Sequence, residues 1–333
     1  MQSLYNENPA IPALTALNMD APTVSTQFGN MPLGSAVSCQ LPLIPPDFNV
    51  HCSWDLIVNP TFTFSLYPMF PFVNTENVIC SYIDSLLLKK RDFIQRLMVS
   101  VEDVHKIEEG TRLQASEPEW FKMRKFRITA SLNNQIHNVK TEKGLKTLAT
   151  NIASKPRVVN DFLKNKLDFG RYHEPIALHH YEKYMKARNH HIQVENIGLV
   201  IDHDNFIFGA TPDAKVVDIS EPFPYGIVEI KCSEEYKNND PYDICYISKT
   251  SCLEIRDGLL KLKETHSYYD QVQMQLGVTS QSWCDFVLYT KKGLVIDRVR
   301  YNPDHWLPLR EKLTEFYFNF LLDEFISVDS HLS

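Results

Sequence analysis

The sequence lacks the long uncharged apolar run that a membrane-spanning helix needs, and it lacks the basic start and compact apolar stretch of a signal peptide. Its seven cysteines are scattered and form no C-x-x-C pair, which argues against a disulfide framework and a cysteine-rich zinc site. Glycine-rich phosphate loops and G-x-S-x-G are also missing, which argues against an NTPase and an α/β hydrolase. We therefore expect a soluble intracellular protein with reduced thiols and no membrane association.

Basic residues are absent from the first 88 positions, although this segment contains six acids. It contributes −6 to the formal charge of −7, so the rest of the 333-residue chain carries only −1. A nearly neutral domain can still present a basic groove, and net charge therefore neither supports nor excludes a nucleic-acid substrate.

Composition and periodicity divide the chain into three segments. Residues 1–75 hold ten of the nineteen prolines and show no sustained period, which predicts a largely irregular extension. Residues 76–109 have helical spacing that stops at Gly110, and residues 110–333 form the main domain. The extension contains a cluster of five aromatic residues: Phe62, Phe64, Tyr67, Phe70 and Phe72. The cluster is either part of a poorly ordered lead-in or a surface that docks on the main domain or on a partner.

The main domain begins with helical patterns, including one after Gly170 that carries Glu174 on an inward-facing stripe. Strand patterns follow, with a hairpin turn at 203–205 and another at Arg256-Asp257-Gly258. A helix at 268–278, two strands at 283–290 and 294–300, and a closing helix at 304–325 complete the order. We predict an α/β fold in which helices flank a central mixed β-sheet.

The chemistry is concentrated in the strand Gly226-Ile227-Val228-Glu229-Ile230-Lys231-Cys232. Glu229 and Lys231 are two residues apart and share one strand face, which is costly in an apolar strand unless the face is a site. An ordinary solvated salt bridge is the alternative. Asp213 lies a short distance upstream, where a hairpin can bring it beside Glu229, although a turn residue after Pro212 would look the same.

Further polar groups fit the same site. Glu174 supplies another carboxylate, or is simply an acid favoured near a helix start. Gln271 and Gln275, one helical turn apart, either bond a phosphate, a water or Lys231, or lie on a solvated face. Carboxylates and the Ile230 carbonyl are hard oxygen ligands for Mg²⁺ or Mn²⁺. The histidine pairs His179-His180 and 190–191 have no complete zinc ligand set, and we expect surface helix histidines.

Five blocks in a fixed order carry a family resemblance. They are WFKMRKFRITAS at 120–131, GRYHE at 170–174, GATPD at 209–213, GIVEIKC at 226–232 and YYDQVQMQLGVT at 268–279. Together they resemble the YqaJ/lambda-exonuclease family of viral-type recombination nucleases, within the PD-(D/E)xK superfamily. The resemblance covers roughly residues 110 to 300 and implies a restriction-endonuclease-like core.

The resemblance also implies roles for individual residues. Two Mg²⁺ or Mn²⁺ ions would be held by Glu174, Asp213, Glu229 and the Ile230 carbonyl, and Lys231 would activate water. Gln271 and Tyr268 would line the site. Arg124 and Ser131 would hold a terminal 5′-phosphate, with Thr211 as an additional donor.

The family's substrate is linear duplex DNA, degraded from 5′ ends, so DNA ends are the expected partner. Some members form a trimeric ring, and a single-strand annealing partner is a further expectation. Two departures stand out: Ala214 follows Asp213 where many members have Gly, and the connection from Asp213 to Glu229 is long. The alternatives are a structure-selective endonuclease on the same core and a DNA-binding module that does not cleave.

Overall fold

The computed structural model describes residues 23–26, 29–32, 47–54, 67–70, 76–154, 161–188, 192–248 and 250–330. The helices are α1 (Cys80–Asp84), α2 (Leu88–Gln95), α3 (Val101–Gly110), α4 (Pro118–Arg124), α5 (Asn133–His137), α6 (Glu142–Ala153), α7 (Asp161–Arg188), α8 (Pro241–Ile247), α9 (Ser267–Thr279), α10 (Pro303–Phe316) and α11 (Leu322–Ser330). The strands are β1 (Thr23–Thr26), β2 (Gly29–Pro32), β3 (Asn49–Cys52), β4 (Ile128–Thr129), β5 (Ile192–Glu195), β6 (Val200–Ile201), β7 (Phe208–Ala210), β8 (Ala214–Asp218), β9 (Tyr225–Cys232), β10 (Leu253–Arg256), β11 (Leu259–Leu262), β12 (Trp283–Thr290) and β13 (Gly293–Arg300).

A six-stranded mixed sheet with the order β3-β13-β12-β9-β8-β5 forms the centre of the fold. Strand β9 pairs in parallel with β12 and antiparallel with β8, so it has a hydrogen-bonded neighbour on each side. A smaller three-stranded sheet has the order β4-β7-β6. Its strand β7 directly precedes β8 in the chain. The predicted central mixed sheet is therefore confirmed, as are the hairpins β6-β7 and β10-β11.

Helices cover both faces of the large sheet because its strands are apolar on both sides. Side chains of α7, such as Ile176 and Tyr181, pack with Val228 and Ile230 on one face. On the other face, Ile227 packs in a larger core that includes Val272 of α9. Near the carboxyl end of β9, side chains from α7 and α9 can therefore reach the same strand from opposite sides.

Part of the extension that we predicted to be irregular joins the main sheet. Strand β3 pairs in parallel with β13, and Ser53 Oγ donates to Asp297 Oδ1 at 2.6 Å. Tyr67 and Phe70 are buried in the main core, and the Tyr67 hydroxyl donates to the Gly226 carbonyl at 3.0 Å. These two aromatic residues thus dock on the main domain, whereas Phe62, Phe64 and Phe72 lie outside the described residues.

Two helix predictions were wrong in their bounds. Residues 76–109 form three helices, and α3 begins with a capping box in which the Ser100 side chain accepts from the Asp103 backbone and Asp103 accepts from the Ser100 backbone. Helix α7 does not start after Gly170: it runs through Gly170 and Pro175 as one helix. A single glycine costs a helix only about 1 kcal/mol, which packing against the sheet can offset.

The closing helix is continuous from α10 to α11 through a π-helical segment at Tyr317–Leu321. Within the described part of the chain, no helix is long and apolar enough to cross a membrane. The division of the chain into three segments remains a prediction.

Candidate active site

Strands β8 and β9 bring the predicted carboxylates together. The backbone N–H of Asp213 donates to the Val228 carbonyl at 2.9 Å, which continues the antiparallel ladder to the residue before β8. The Asp213 side chain accepts from the Ile230 N–H through Oδ2 at 2.5 Å. Glu229 is 2% exposed and accepts a hydrogen bond from the Lys231 ammonium. The hairpin geometry inferred from the sequence is therefore present, with Asp213 beside β9.

Helix α9 holds Glu229 from the larger core face. Gln271 Nε2 donates to Glu229 Oε1 and Gln275 Nε2 donates to Glu229 Oε2, each at 2.6 Å. The Lys231 Nζ atom lies 5.1 Å from the centre of the Tyr268 ring, close enough for a cation–π interaction. Both glutamines therefore donate to Glu229 itself. They do not lie on a solvated face, and neither donates to Lys231.

Glu174 of α7 completes the acidic cluster. Glu174, Asp213, Ile230 and Lys231 line one cavity of about 650 Å³. Burial, together with repulsion from Glu229, raises the pKa of Glu174. Burial, followed by repulsion from Glu229 and Glu174, raises the pKa of Asp213 well above its usual range. The carboxylates are therefore close enough to resist holding all their negative charges at once.

Lys231 partly offsets this repulsion. Burial alone lowers the pKa of Lys231, but attraction to Glu229 and Asp213 outweighs burial and raises it above its usual value. The side chain is therefore an ammonium at neutral pH. Three carboxylates and one ammonium give the cluster a formal charge of −2, which a divalent cation would neutralise.

The residue types fit a hard divalent cation, since carboxylate oxygens are the preferred ligands of Mg²⁺. Among the described residues, however, no three His, Cys, Asp or Glu side chains stand close enough together to hold a metal ion. Both oxygens of Glu229 accept from amide or ammonium donors. Gln275 Oε1 is buried without a hydrogen-bond partner among the described residues, so this region keeps one unsatisfied acceptor.

A second polar cluster lies next to the acidic one. The Thr211 hydroxyl accepts from Arg124 Nη1 and from Trp120 Nε1, each at 3.2 Å. The Arg124 guanidinium lies 4.0 Å from the centre of the Trp120 ring, and burial lowers the pKa of Arg124 to about 10. Arg124 therefore remains charged at neutral pH while most of its N–H donors are not used by Thr211.

Ser131 is exposed, and its Oγ lies 3.2 Å from Thr129 Oγ1. The parallel pairing of Thr129 with Gly209 brings the ends of β4 and β7 side by side, so Ser131 and Thr211 follow neighbouring strands. No hydrogen bond joins Ser131 to Arg124 in the part of the chain that the structure describes. Its role at a phosphate stays a prediction, as do the roles of the other site residues.

One histidine lies in a place that the sequence did not predict, and one residue near the site was not predicted at all. His180 is 2% exposed and packs against Phe48 at a ring distance of 4.7 Å, so the prediction of a surface histidine was wrong. Gln114 was not singled out, yet its side chain donates to the Pro212 carbonyl, next to Asp213, at 3.0 Å. No motif marks Gln114 in the sequence, because its importance comes from contacts about a hundred residues away.

The chain is similar to one protein family and to several solved structures. Residues 119–282 match the profile of the YqaJ-like viral recombinase domain. No curated protein sequence matches the chain. An alkaline exonuclease from Laribacter hongkongensis is similar in structure, with 20% identity over 64% of this chain and 96% of that chain and a TM-score of 0.46. The shutoff and exonuclease protein from Kaposi's sarcoma-associated herpesvirus is similar with 13% identity over 74% of this chain and 77% of that chain, at a TM-score of 0.44.

The matched segment contains the whole acidic cluster, both glutamines of α9 and the Arg124 cluster. Residues 119–282 are thus similar to the YqaJ-like viral recombinase domain.

Proposed function

We propose that this protein is a Mg²⁺- or Mn²⁺-dependent deoxyribonuclease that degrades linear double-stranded DNA from its 5′ ends, in recombination or repair. The observation that carries the proposal is the placement of Asp213, immediately before β8, beside Glu229 and Lys231 of β9. A carboxylate cluster with a raised pKa beside a buried ammonium is typical of catalytic sites, because a purely structural fold has no need for such repulsion.

Glu174, Asp213, Glu229 and the Ile230 carbonyl are the groups that would hold one or two divalent cations. A cation bound there would stabilise the negative charge on a phosphodiester by acting as a Lewis acid. The ligand set rests on the residue types, the local charge of −2 and the family resemblance.

The chain's own groups would orient the attacking water. Lys231 is charged, so its N–H groups can direct a water and stabilise negative charge, but it cannot serve as the base. Asp213 would offer the cation its Oδ1 atom, since Oδ2 already accepts from the Ile230 N–H.

A preference for 5′ ends of DNA would come from the polar cluster of Trp120, Arg124 and Thr211. The Thr211 hydroxyl accepts two hydrogen bonds and so can donate its own hydrogen elsewhere, beside the guanidinium of Arg124. A guanidinium with a hydroxyl donor suits a terminal phosphate. Thr211 is two residues from Asp213, a backbone span of at most about 7 Å. A 5′-phosphate held there would lie one or two nucleotides from the carboxylates, at roughly 3.4 Å of rise per nucleotide.

The test is degradation of a linear 5′-phosphorylated duplex with Mg²⁺ or Mn²⁺, alongside a closed circular duplex and a duplex RNA of the same sequence. Metal-dependent loss of the linear DNA alone would support the proposal. Cutting of the circle would favour an endonuclease, and equal loss of the RNA would contradict the restriction to DNA. Binding without any metal-dependent cutting would identify a DNA-binding module instead.

A further inference from the structure

One wall of the active-site cavity is formed by the segment between α3 and α4. Arg112, Gln114 and Ser116 line the same 650 Å³ cavity as Glu174, Asp213 and Lys231. Leu113, in the same wall, is 63% exposed. The segment contains backbone turns and one short 3₁₀ turn, and side-chain hydrogen bonds attach it to the rest of the fold.

Three polar side chains, spaced three residues apart, attach this wall to the loop before β6. Their partners are consecutive backbone groups: Glu108 Oε1 accepts from Gly198 N at 3.1 Å, Thr111 Oγ1 accepts from Leu199 N at 2.8 Å, and Gln114 Nε2 donates to Ile197 O at 3.2 Å. The approach is close, because a Cβ at Gly198 would lie 1.9 Å from the Glu108 carbonyl oxygen. Glycine is therefore required at residue 198 for the wall to sit where it does.

Gln114 differs from the other two side chains because it also reaches the connection between β7 and β8, which carries Asp213. Its amide donates its second hydrogen to the Pro212 carbonyl at 3.0 Å, and the next residue is Asp213. Its backbone is left-handed, with φ of 48°, which is uncommon for a residue with a side chain. Strained backbone of this kind persists where the surroundings enforce it, often at functional sites. Both amide hydrogens of Gln114 are thus donated to backbone carbonyls, one to that of Ile197 and one to that of Pro212.

We propose that Gln114 is a positioning residue that sets the location of Asp213, an inference that rests on the proposed nuclease function. The Pro212 carbonyl is held by Gln114, the Asp213 N–H by the Val228 carbonyl and the Asp213 carboxylate by the Ile230 N–H. Removal of the first contact leaves the peptide before Asp213 without that hydrogen bond, so Asp213 can shift while every side chain that touches substrate is still present.

The experiment compares wild type with Gln114→Met and Gln114→Gly on the linear duplex with Mn²⁺, measuring kcat and KM separately. Met keeps the side-chain length but cannot donate, whereas Gly relieves the left-handed backbone and also cannot donate. Because small displacements of a catalytic group are costly, we expect kcat to fall by roughly tenfold to a hundredfold in both variants, with KM changed by less than about threefold.

The matched control is Asp257→Met, which places the same side chain at another left-handed residue, in an exposed hairpin turn. The control should keep the wild-type kcat, and all variants should melt cooperatively. Wild-type kcat in Gln114→Gly would overturn the inference, because it would show that the hydrogen bonds are not needed. A rise in KM alone would also overturn it, since that result indicates a substrate-binding wall. A wild type that cuts nothing would instead overturn the proposed function, and this inference with it.

Discussion

Replacement of Asp213 by Asn should stabilise the metal-free protein while abolishing its activity. The amide keeps an oxygen that can accept from the Ile230 N–H, which Asp213 Oδ2 bonds at 2.5 Å. It removes one negative charge from a cluster with formal charge −2, made by Glu174, Asp213, Glu229 and Lys231. Single stabilising substitutions commonly yield about 0.5 to 2 kcal/mol, and we expect a gain in that range at pH 8.

The gain should depend on pH in a defined direction. Burial, and then repulsion from Glu229 and Glu174, raises the pKa of Asp213 in the folded protein. The folded state therefore binds a proton more tightly than the unfolded state, in which a carboxyl has a pKa of about 3.9. Wild type consequently loses stability as the pH rises from about 4 through the raised value, whereas Asp213→Asn does not. The difference between them should shrink towards pH 4.

Urea unfolding in EDTA, followed by tryptophan fluorescence at pH 8 and pH 5, measures the difference. The matched control is Asp270→Asn, because burial raises the pKa of Asp270 but hydrogen bonds from His305 and His137 outweigh burial and lower it. That variant should lose stability at pH 8. Added Mg²⁺ should stabilise wild type more than Asp213→Asn, through binding to the folded state alone. An Asp213→Asn protein that is less stable than wild type at both pH values would refute the reasoning.

Two further predictions concern Arg124 and a buried ion-pair cluster around Arg298 in the large sheet. Arg124→Ala should remove any preference for 5′-phosphorylated over 5′-hydroxyl ends in a competition assay, and an unchanged preference would contradict the phosphate role. Arg298→Met should destabilise the fold by about 3 to 5 kcal/mol, because it leaves Asp285 and Asp218, each fully buried and bonded to Arg298 at 2.7 to 2.8 Å, without their cation. The neighbouring Arg300→Met should cost less than about 1 kcal/mol in the same urea titration, since Arg300 is 57% exposed.

The strands around the site could be predicted from sequence because their signals are local. An apolar run indicated β9, the strand after β8, to within a residue of its bounds, and the E-x-K spacing placed Glu229 and Lys231 on one face. The pairing of these two strands then followed from hairpin geometry, which brought Asp213 alongside. The core of the candidate site could therefore be predicted from the sequence.

Long-range contacts could not be predicted in the same way. Strand β3 pairs with β13, about 240 residues later, and no local pattern specifies such a partner. Helix α7 passes through Gly170 and Pro175 because packing against the sheet outweighs local propensity. The bonds of Gln275 to Glu229 and of Gln114 to Pro212 likewise depend on the tertiary fold.

The most direct test of the active site is the single-turnover cleavage rate of Lys231→Met on the linear 5′-phosphorylated duplex with saturating Mn²⁺. The control is Lys237→Met, since Lys237 bonds Glu234 rather than the acidic cluster. We predict a loss on the order of 10²- to 10³-fold for Lys231→Met, the usual effect of losing a donor that stabilises developing negative charge. DNA affinity should be nearly unchanged, and Lys237→Met should cut like wild type. Cleavage by Lys231→Met at the wild-type rate would contradict the assignment of this site as the catalytic centre.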